Sequence, residues 1–296
     1  MTKQFPKIAI LAVAILWGSS FAFQKGLLEV IDPITFTFYN FFVVGVLFLL
    51  YAIFHKRNLF YRWREGILLG VLITGTEVAQ MIGLHLSSAA NTSFISNVGM
   101  LLIPYVGFML YRHKVTKMDT FTIIGAAMGM YLLLGGIKGV GVGDIFLLIS
   151  ACFMAFYFLL SERYEGEAGG YMSVLCAQQF LIVGLLTGVY ILFTQITFSV
   201  ASQVLPTFAW QIFVFTALPY ALIQWSSKYA NEMMVTMYDG VVEPLVGGLV
   251  AWGLFYEHVT PLKVMGALIM VICFGISAIY SERQILLSKK VISKKK

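Results

Sequence analysis

Ten long apolar runs, separated by short polar breaks, fill almost the whole chain. The runs fall at residues 8–28, 33–54, 66–86, 91–111, 119–137, 144–161, 171–193, 206–227, 231–252 and 262–280. Each is close to the roughly 20 residues that a helix needs to cross a ~30 Å hydrocarbon core. The runs are continuous, whereas barrel strands are short and alternate polar with apolar positions. The reading is an all-α integral membrane protein with ten transmembrane helices. Composition leaves little else open. Of the 296 residues, 59% are hydrophobic and 11% charged, and the mean hydropathy is +0.87. A chain of this size folded in water could not hide that much apolar surface. A soluble enzyme, a disordered chain and a nucleic-acid-binding domain are excluded.

The first run follows Lys3 and Lys7, as a signal peptide would. The candidate cleavage site, Ser20-Phe21-Ala22, carries a bulky residue, so the run is read as a retained helix. The three cysteines, Cys152, Cys176 and Cys273, all sit inside apolar runs and are expected to be buried thiols rather than a disulfide framework.

Basic residues set the expected orientation. With the N-terminus inside, seventeen of the 20 lysines and arginines fall on inner segments. Only Lys25, Lys138 and Lys263 fall outside. Such a bias implies ten spans with both termini cytoplasmic.

The two halves resemble each other. Asn91 to Pro104 lines up with Asn231 to Pro244 at a constant offset, and Val115-Thr116 pairs with Val259-Thr260. Five helices per repeat is an odd number, so the second copy enters the membrane inverted. Inverted repeats with a midplane site recur among transporters. The expected organisation is repeat 1 over 6–137, repeat 2 over 143–281, and a basic cytoplasmic tail over 282–296. Gly-x3-Gly spacings at Gly66, Gly125 and Gly184 suit close helix contacts.

Ionisable groups at membrane depth are costly and usually face a bundle interior. Three stand out: Glu77 in the third run, and Asp239 and Glu243 in the ninth. Glu232, Thr236, Asp239 and Glu243 share one helical face; the equivalent stripe in the fourth run is Thr92, Ser96, Gly99 and Ile103. The expected pathway lining adds Trp17, Ser20 and Gln24 from the first run, and Gln80 one turn beyond Glu77. Asn97, Tyr157, Tyr220 and Gln224 complete it. Lys25 is expected to pair locally with Glu29 at i, i+4. Pro104 and Pro244 each free the carbonyl four residues back, at Met100 and Gly240, and are candidate hinges.

Gly143-Asp144 with Tyr238-Asp239 superficially resembles intramembrane aspartyl proteases, but there the two motifs come in the opposite order. Asp144 reads better as a helix N-cap. The histidines show no zinc spacing, and no phosphate loop or catalytic triad is apparent, so neither metal nor cofactor is expected.

Leu16-Trp17-Gly18-Ser19-Ser20-Phe21 resembles the opening of EamA-type members of the drug/metabolite transporter superfamily. So does the stretch from Gly83 to Asn91 leading to Pro104 and Arg112-His113-Lys114. In the second half, Gly143-Asp144, Glu243-Pro244 and Glu257-His258-Val259-Thr260-Pro261 match the same family. Tyr256-Glu257-His258 departs from its common Gly-Glu-Arg, a change expected to affect a loop contact. The resemblance implies ten helices in two inverted five-helix repeats. It also implies export or exchange of small metabolites, such as amino acids or related amines, across a bacterial inner membrane. Glu77 and Asp239 are not family signatures; their role rests on depth. With three deep carboxyls and no deep cation, either a cationic or zwitterionic substrate or a coupled proton is expected to supply the missing charge. Partners are thus a small molecule and the lipid bilayer, not nucleic acid; the oligomeric state is not readable. The competing class is an intramembrane enzyme acting on lipid or peptide through those carboxyls. A scaffold or receptor without transport leaves them unexplained.

Overall fold

The computed structural model describes residues 5–136, 139–226 and 238–293, except for the side chains at 5–7, 165–167, 238–239 and 281–293. Among the described residues all regular structure is helical. In chain order the α-helices are α1 (Phe5–Leu27), α2 (Pro33–Phe54), α3 (Trp63–Leu86), α4 (Ala89–Ile95), α5 (Val98–Tyr111), α6 (Lys117–Leu133), α7 (Val142–Ala168) and α8 (Met172–Phe193). They continue as α9 (Leu205–Trp210), α10 (Leu218–Ser226), α11 (Glu243–Gly253) and α12 (Pro261–Ser293).

Among the described residues, eight helical stretches are long and apolar enough to cross a bilayer: Ile8–Leu27, Pro33–Phe54, Trp63–Leu86, Ala89–Tyr111, Val142–Tyr164, Gly169–Phe193, Ser202–Ser226 and Pro261–Tyr280. The two other expected runs correspond to α6, which has 17 residues, and to the shorter apolar stretch Gly240–Gly253. Large apolar side chains such as Leu50, Phe121, Leu185 and Leu249 remain exposed around the bundle. A belt of that kind is stable against lipid, not water. The chain is a multi-pass membrane protein.

Helix starts follow their local chemistry. Asp32 Oδ1 accepts from the Ile34 amide at 2.8 Å, with Pro33 in the first turn of α2. Thr116 and Asp119 form a reciprocal capping box on α6. Asp144 does not act as the N-cap of α7. It sits in the first turn and its Oδ2 accepts the Gly141 amide at 2.9 Å, while its other oxygen leaves the helix.

The fourth run is not one smooth helix. Asn97 Nδ2 donates to the Ser93 carbonyl at 2.8 Å, taking the acceptor that the Asn97 amide would use in a continuous helix. The chain then tightens, with Gly99 N bonded to Ser96 O and Met100 N to Asn97 O, before α5 resumes around Pro104. In the second half the prolines follow wider turns. A π-helical segment, Gln211–Ala217, precedes Pro219, and another, Tyr238–Val242, precedes Pro244. Pro244 therefore lies in the first turn of α11 rather than in a helix interior.

Packing is dominated by α2 along α8, α3 along α7 and α8, and α6 along α12. The helices α5 and α7, α1 and α11, and α4 and α11 also pack extensively, as does α1 against the segment from Gln211 through α10. Glycines allow the closest of these approaches. A β-carbon on Gly129 would meet the Gly266 carbonyl at 2.7 Å, and one on Gly18 would strike the Glu243 carbonyl. Cys176 and Cys273 are buried, but Cys152 is exposed on α7, contrary to the expectation of three buried thiols.

Candidate functional site

The α1 residues Trp17, Ser20, Phe21 and Gln24 recur at i, i+3, i+4 and i+7, which puts them on one face. A relay fixes that face. The Ser20 hydroxyl donates to the Trp17 carbonyl at 2.7 Å, and Gln24 Nε2 donates to Ser20 Oγ at 3.2 Å. The serine proton is already committed, so only the amide nitrogen of Gln24 suits this contact. The Gln24 Oε1 end is left without a hydrogen-bond partner among the described residues, as is Gln80 Oε1.

From α3 come Ile73, Thr76, Glu77 and Gln80. Thr76 is held on both sides: its hydroxyl bonds the Leu72 carbonyl, and its own carbonyl accepts the Ser150 hydroxyl at 2.9 Å. Among the described residues Glu77 has neither a hydrogen bond nor an ion pair. Asn97, at the α4–α5 break, reaches across to the second half, where its Nδ2 donates to Glu243 Oε1 at 3.3 Å. The break thus aims an amide at the carboxylate. Tyr220, on α10, is wedged between Trp17 at 5.5 Å and Phe180 at 4.6 Å, centroid to centroid.

These groups enclose a cavity of about 170 Å³. That is room for roughly a dozen waters, or one small metabolite. Nine residues expected from the sequence line it: Trp17, Ser20, Gln24, Glu77, Gln80, Asn97, Tyr157, Tyr220 and Glu243. Gln24, Gln80, Asn97 and Glu243 are each less than a tenth exposed. Gln224 does not line the cavity; Ile223 occupies that stretch of the α10 wall. The side chain of Asp239, and all of Glu232 and Thr236, lie outside the described residues. The hinge candidates Pro104 and Pro244 are not among the lining residues.

Sequence reading missed part of the lining. Asn40 on α2 and Thr216 in the π-helical segment face the cavity and bond each other, Thr216 Oγ1 to Asn40 Oδ1 at 2.9 Å. A lone Asn deep in an apolar run was a usable signal. Thr76, Phe21, Phe41, Ile73, Met154, Phe158, Phe215 and Ile223 complete the wall, and nothing local distinguishes them from packing residues.

The wall chemistry is one-sided. Two carboxyl groups, four side-chain amides and a ring of aromatic faces surround the space, and among the described residues no Lys or Arg lines it. Lys25 does not turn inward, nor does it pair with Glu29. Its Nζ donates to the Leu84 and His85 carbonyls, at 3.0 and 2.7 Å. The last-turn carbonyls of α3 outcompete an exposed local ion pair, because they are otherwise unsatisfied and carry the negative end of the helix dipole. The cavity can therefore stabilise a cation or a hydrogen-bond donor.

Residues 5–135 match the EamA-like transporter family. An uncharacterised transporter of Archaeoglobus fulgidus is 23% identical over 273 residues, 91% of this chain and 84% of its own length. An S-adenosylmethionine/S-adenosylhomocysteine transporter of Chlamydia muridarum is 23% identical over 198 residues, 62% of each chain. A solved crystal structure superposes with a TM-score of 0.66 at 15% identity, over 96% of this chain and 99% of the other, so the two share a fold. Residues 5–135 are thus similar to the EamA-like transporter family, and relatives named as transporters match the chain over most of its length or over part of it.

Proposed function

We propose that the chain is a secondary transporter that moves a small cationic or zwitterionic metabolite, an amino acid or related amine, by alternating access. The observation that carries this reading is the carboxyl-lined cavity at the meeting of both halves, with no Lys or Arg among its described lining residues. A bound ammonium group, or a proton, would complement Glu77 and Glu243; a dianionic substrate would meet two like charges and no counter-charge. The aromatic faces of Trp17, Tyr157 and Tyr220 suit a cation or an apolar substituent.

Helix pairing supports two inverted repeats of five spans each. Exchanging the first five spans for the second five turns the α3–α7 contact into the contact of the eighth span with α1. It likewise turns α5–α7 into α11–α1. The α2–α8, α4–α11 and α6–α12 contacts map onto themselves. Alternating access follows when one half rocks against the other around the shared cavity. The charge bias supports cytoplasmic termini, in a bacterial inner membrane.

The test is flux into proteoliposomes of the purified full chain. Labelled amino acids, primary amines and S-adenosylmethionine (the last because a relative is named for it) are offered from pH 5.5 to 8.5. Saturable uptake of a cation or zwitterion supports the reading. Uptake confined to dianions, or no flux of any kind, overturns it.

A further inference from the structure

The end of the bundle where α3 hands over to α4 carries a set of contacts that ligand binding does not use. We propose that Glu257 and Asp144 form a latch that holds this end shut, and that both must release the segment 87–91 before the cavity opens there. The inference rests on the transport reading for its role in a cycle; the latch itself is read from geometry.

Residues 87–91 belong to the first half of the chain, and both carboxylates that grip them come from the second. Glu257 lies in the loop between α11 and α12, which folds back so that the Glu257 amide bonds the Ala251 carbonyl at 3.1 Å. Its carboxylate accepts the Ala89 amide at 2.7 Å with one oxygen and the Ala90 amide at 3.1 Å with the other. These are first-turn amides of α4, which have no acceptor within their own helix. Ser88 satisfies only the next one, at Asn91. Asp144, at the start of α7, accepts with Oδ1 the Ser87 hydroxyl at 2.5 Å and the Asn91 side-chain Nδ2 at 3.3 Å. Its second oxygen is fixed by the Gly141 amide.

Directly beneath, the helices are locked close. A β-carbon on Gly143 would lie 2.8 Å from the Gly83 carbonyl and from the Ser87 amide, so α3 and α7 touch backbone to backbone. Leu27, Leu28, Leu84, Ala89 and Ala90 belong to one buried cluster and plug the space between latch and cavity. Gln24 and Gln80 are the cavity residues nearest this plug along α1 and α3. An opening here has to part Gly83 from Gly143 and draw α4 away from the loop after α11. The two carboxylates tie α4 and its lead-in to α7 and to the loop after α11, beyond the Ser150–Thr76 bond that joins α3 and α7 deeper in the bundle. Charge-assisted bonds to backbone amides are strong yet breakable, which suits a closure that must cycle.

The experiment reads accessibility, not flux. A cysteine is placed at position 24 of the full chain and labelled with a membrane-impermeant thiol reagent applied from the latch side. Labelling is referenced to the chain without that cysteine. The unaltered latch should label slowly. Asp144→Asn with Glu257→Gln should speed labelling, and Asp144→Ala with Glu257→Ala should speed it further, by about tenfold or more, as expected when several charge-assisted bonds are lost. Labelling from the opposite face should not rise. Unchanged rates in the Ala pair overturn the latch, as does an equal rise from both faces, which reports loosening of the whole bundle. A cysteine pair made by Ser87→Cys and Asp144→Cys covers the case of poor folding: cross-linking it should abolish latch-side labelling, and persistence of labelling overturns the proposal. Because no substrate is needed, a chain that labels as expected without moving any tested solute keeps the latch and fails only the transport reading.

Discussion

Met100 lies against Gly240, its sulfur 3.1 Å from where a β-carbon on that glycine would sit. These are the two residues placed four before Pro104 and Pro244, so the helix breaks of the two halves meet each other. A contact between two interrupted helices is a natural pivot, because backbone that lacks a full hydrogen-bond ladder bends at low cost. Gly240 also keeps the pivot thin. Met100 is flexible and yields to a methyl group, so Gly240→Ala should retain most of the flux. Gly240→Leu overfills the contact and should lower turnover about tenfold or more while the protein still inserts. Equal turnover in both variants would show that the contact is passive.

The prolines make a separate prediction. Pro104→Ala restores an amide that can bond the Met100 carbonyl, whereas Pro244→Ala adds an amide in the first turn of α11 that reaches Gly240 only when the preceding π-helical turn re-registers. Straighter helices should be at least as stable thermally and slower in flux. The double variant is measured for turnover and melting temperature together. Normal turnover would reduce both prolines to fixed kinks.

The buried pair of Asn40 and Thr216 ties α2 to the π-helical segment, inside the cavity wall. Thr216→Val removes the donor and leaves the Asn40 oxygen without it. The expected cost is about 1–3 kcal/mol in stability, seen as a lowered melting temperature. Asn40→Leu with Thr216→Val removes both partners and should recover part of that loss. If the double variant is no better than the single, the bond does not hold the wall.

Much of this cavity was legible because membrane depth makes polar groups expensive. Gln24, Gln80 and Asn97 announce themselves in apolar helices, and the face shared by Trp17, Ser20 and Gln24 follows from helical period alone. What was not legible depended on partners far away in sequence. Glu257 read as a loop residue because its target amides lie 167 and 168 positions earlier. Lys25 read as a local ion pair because the competing α3 carbonyls lie 59 and 60 positions away. Gln224 carries the same signal of a deep amide in an apolar run, yet Ile223 and not Gln224 lines the cavity. Asn40 carried the same signal as Asn97 and was passed over.

Orientation has its own check. Both termini are expected in the cytoplasm, because seventeen of the 20 lysines and arginines then fall on inner segments. A cysteine at position 290 should resist impermeant reagent in intact cells and react after permeabilisation. A cysteine in the loop over 194–205 should react in intact cells. Strong external labelling at 290 would overturn the arrangement of ten spans.

Charge gives the last prediction. Glu77 faces the cavity without a hydrogen bond or ion pair among the described residues, whereas Glu243 already accepts from Asn97. The two carboxyls should therefore respond differently to substitution. Glu77→Gln keeps the shape and removes the charge that a bound cation or transported proton would meet. Flux should fall about tenfold or more, in line with loss of a charge-assisted contact, and its dependence on pH should flatten. The sign follows from competition. If substrate cation and proton share Glu77, lowering the pH protonates the carboxyl and weakens cation uptake on that face, while an outward proton gradient drives it. Glu243→Gln keeps an acceptor for the Asn97 amide and should change affinity less than Glu77→Gln does. The measurement is initial rate against pH for wild type and both variants in the same proteoliposomes. If Glu77→Gln keeps both the rate and the pH profile, Glu77 is a packing group. Selectivity then rests on the Gln24 and Gln80 acceptors and the aromatic faces of Trp17, Tyr157 and Tyr220.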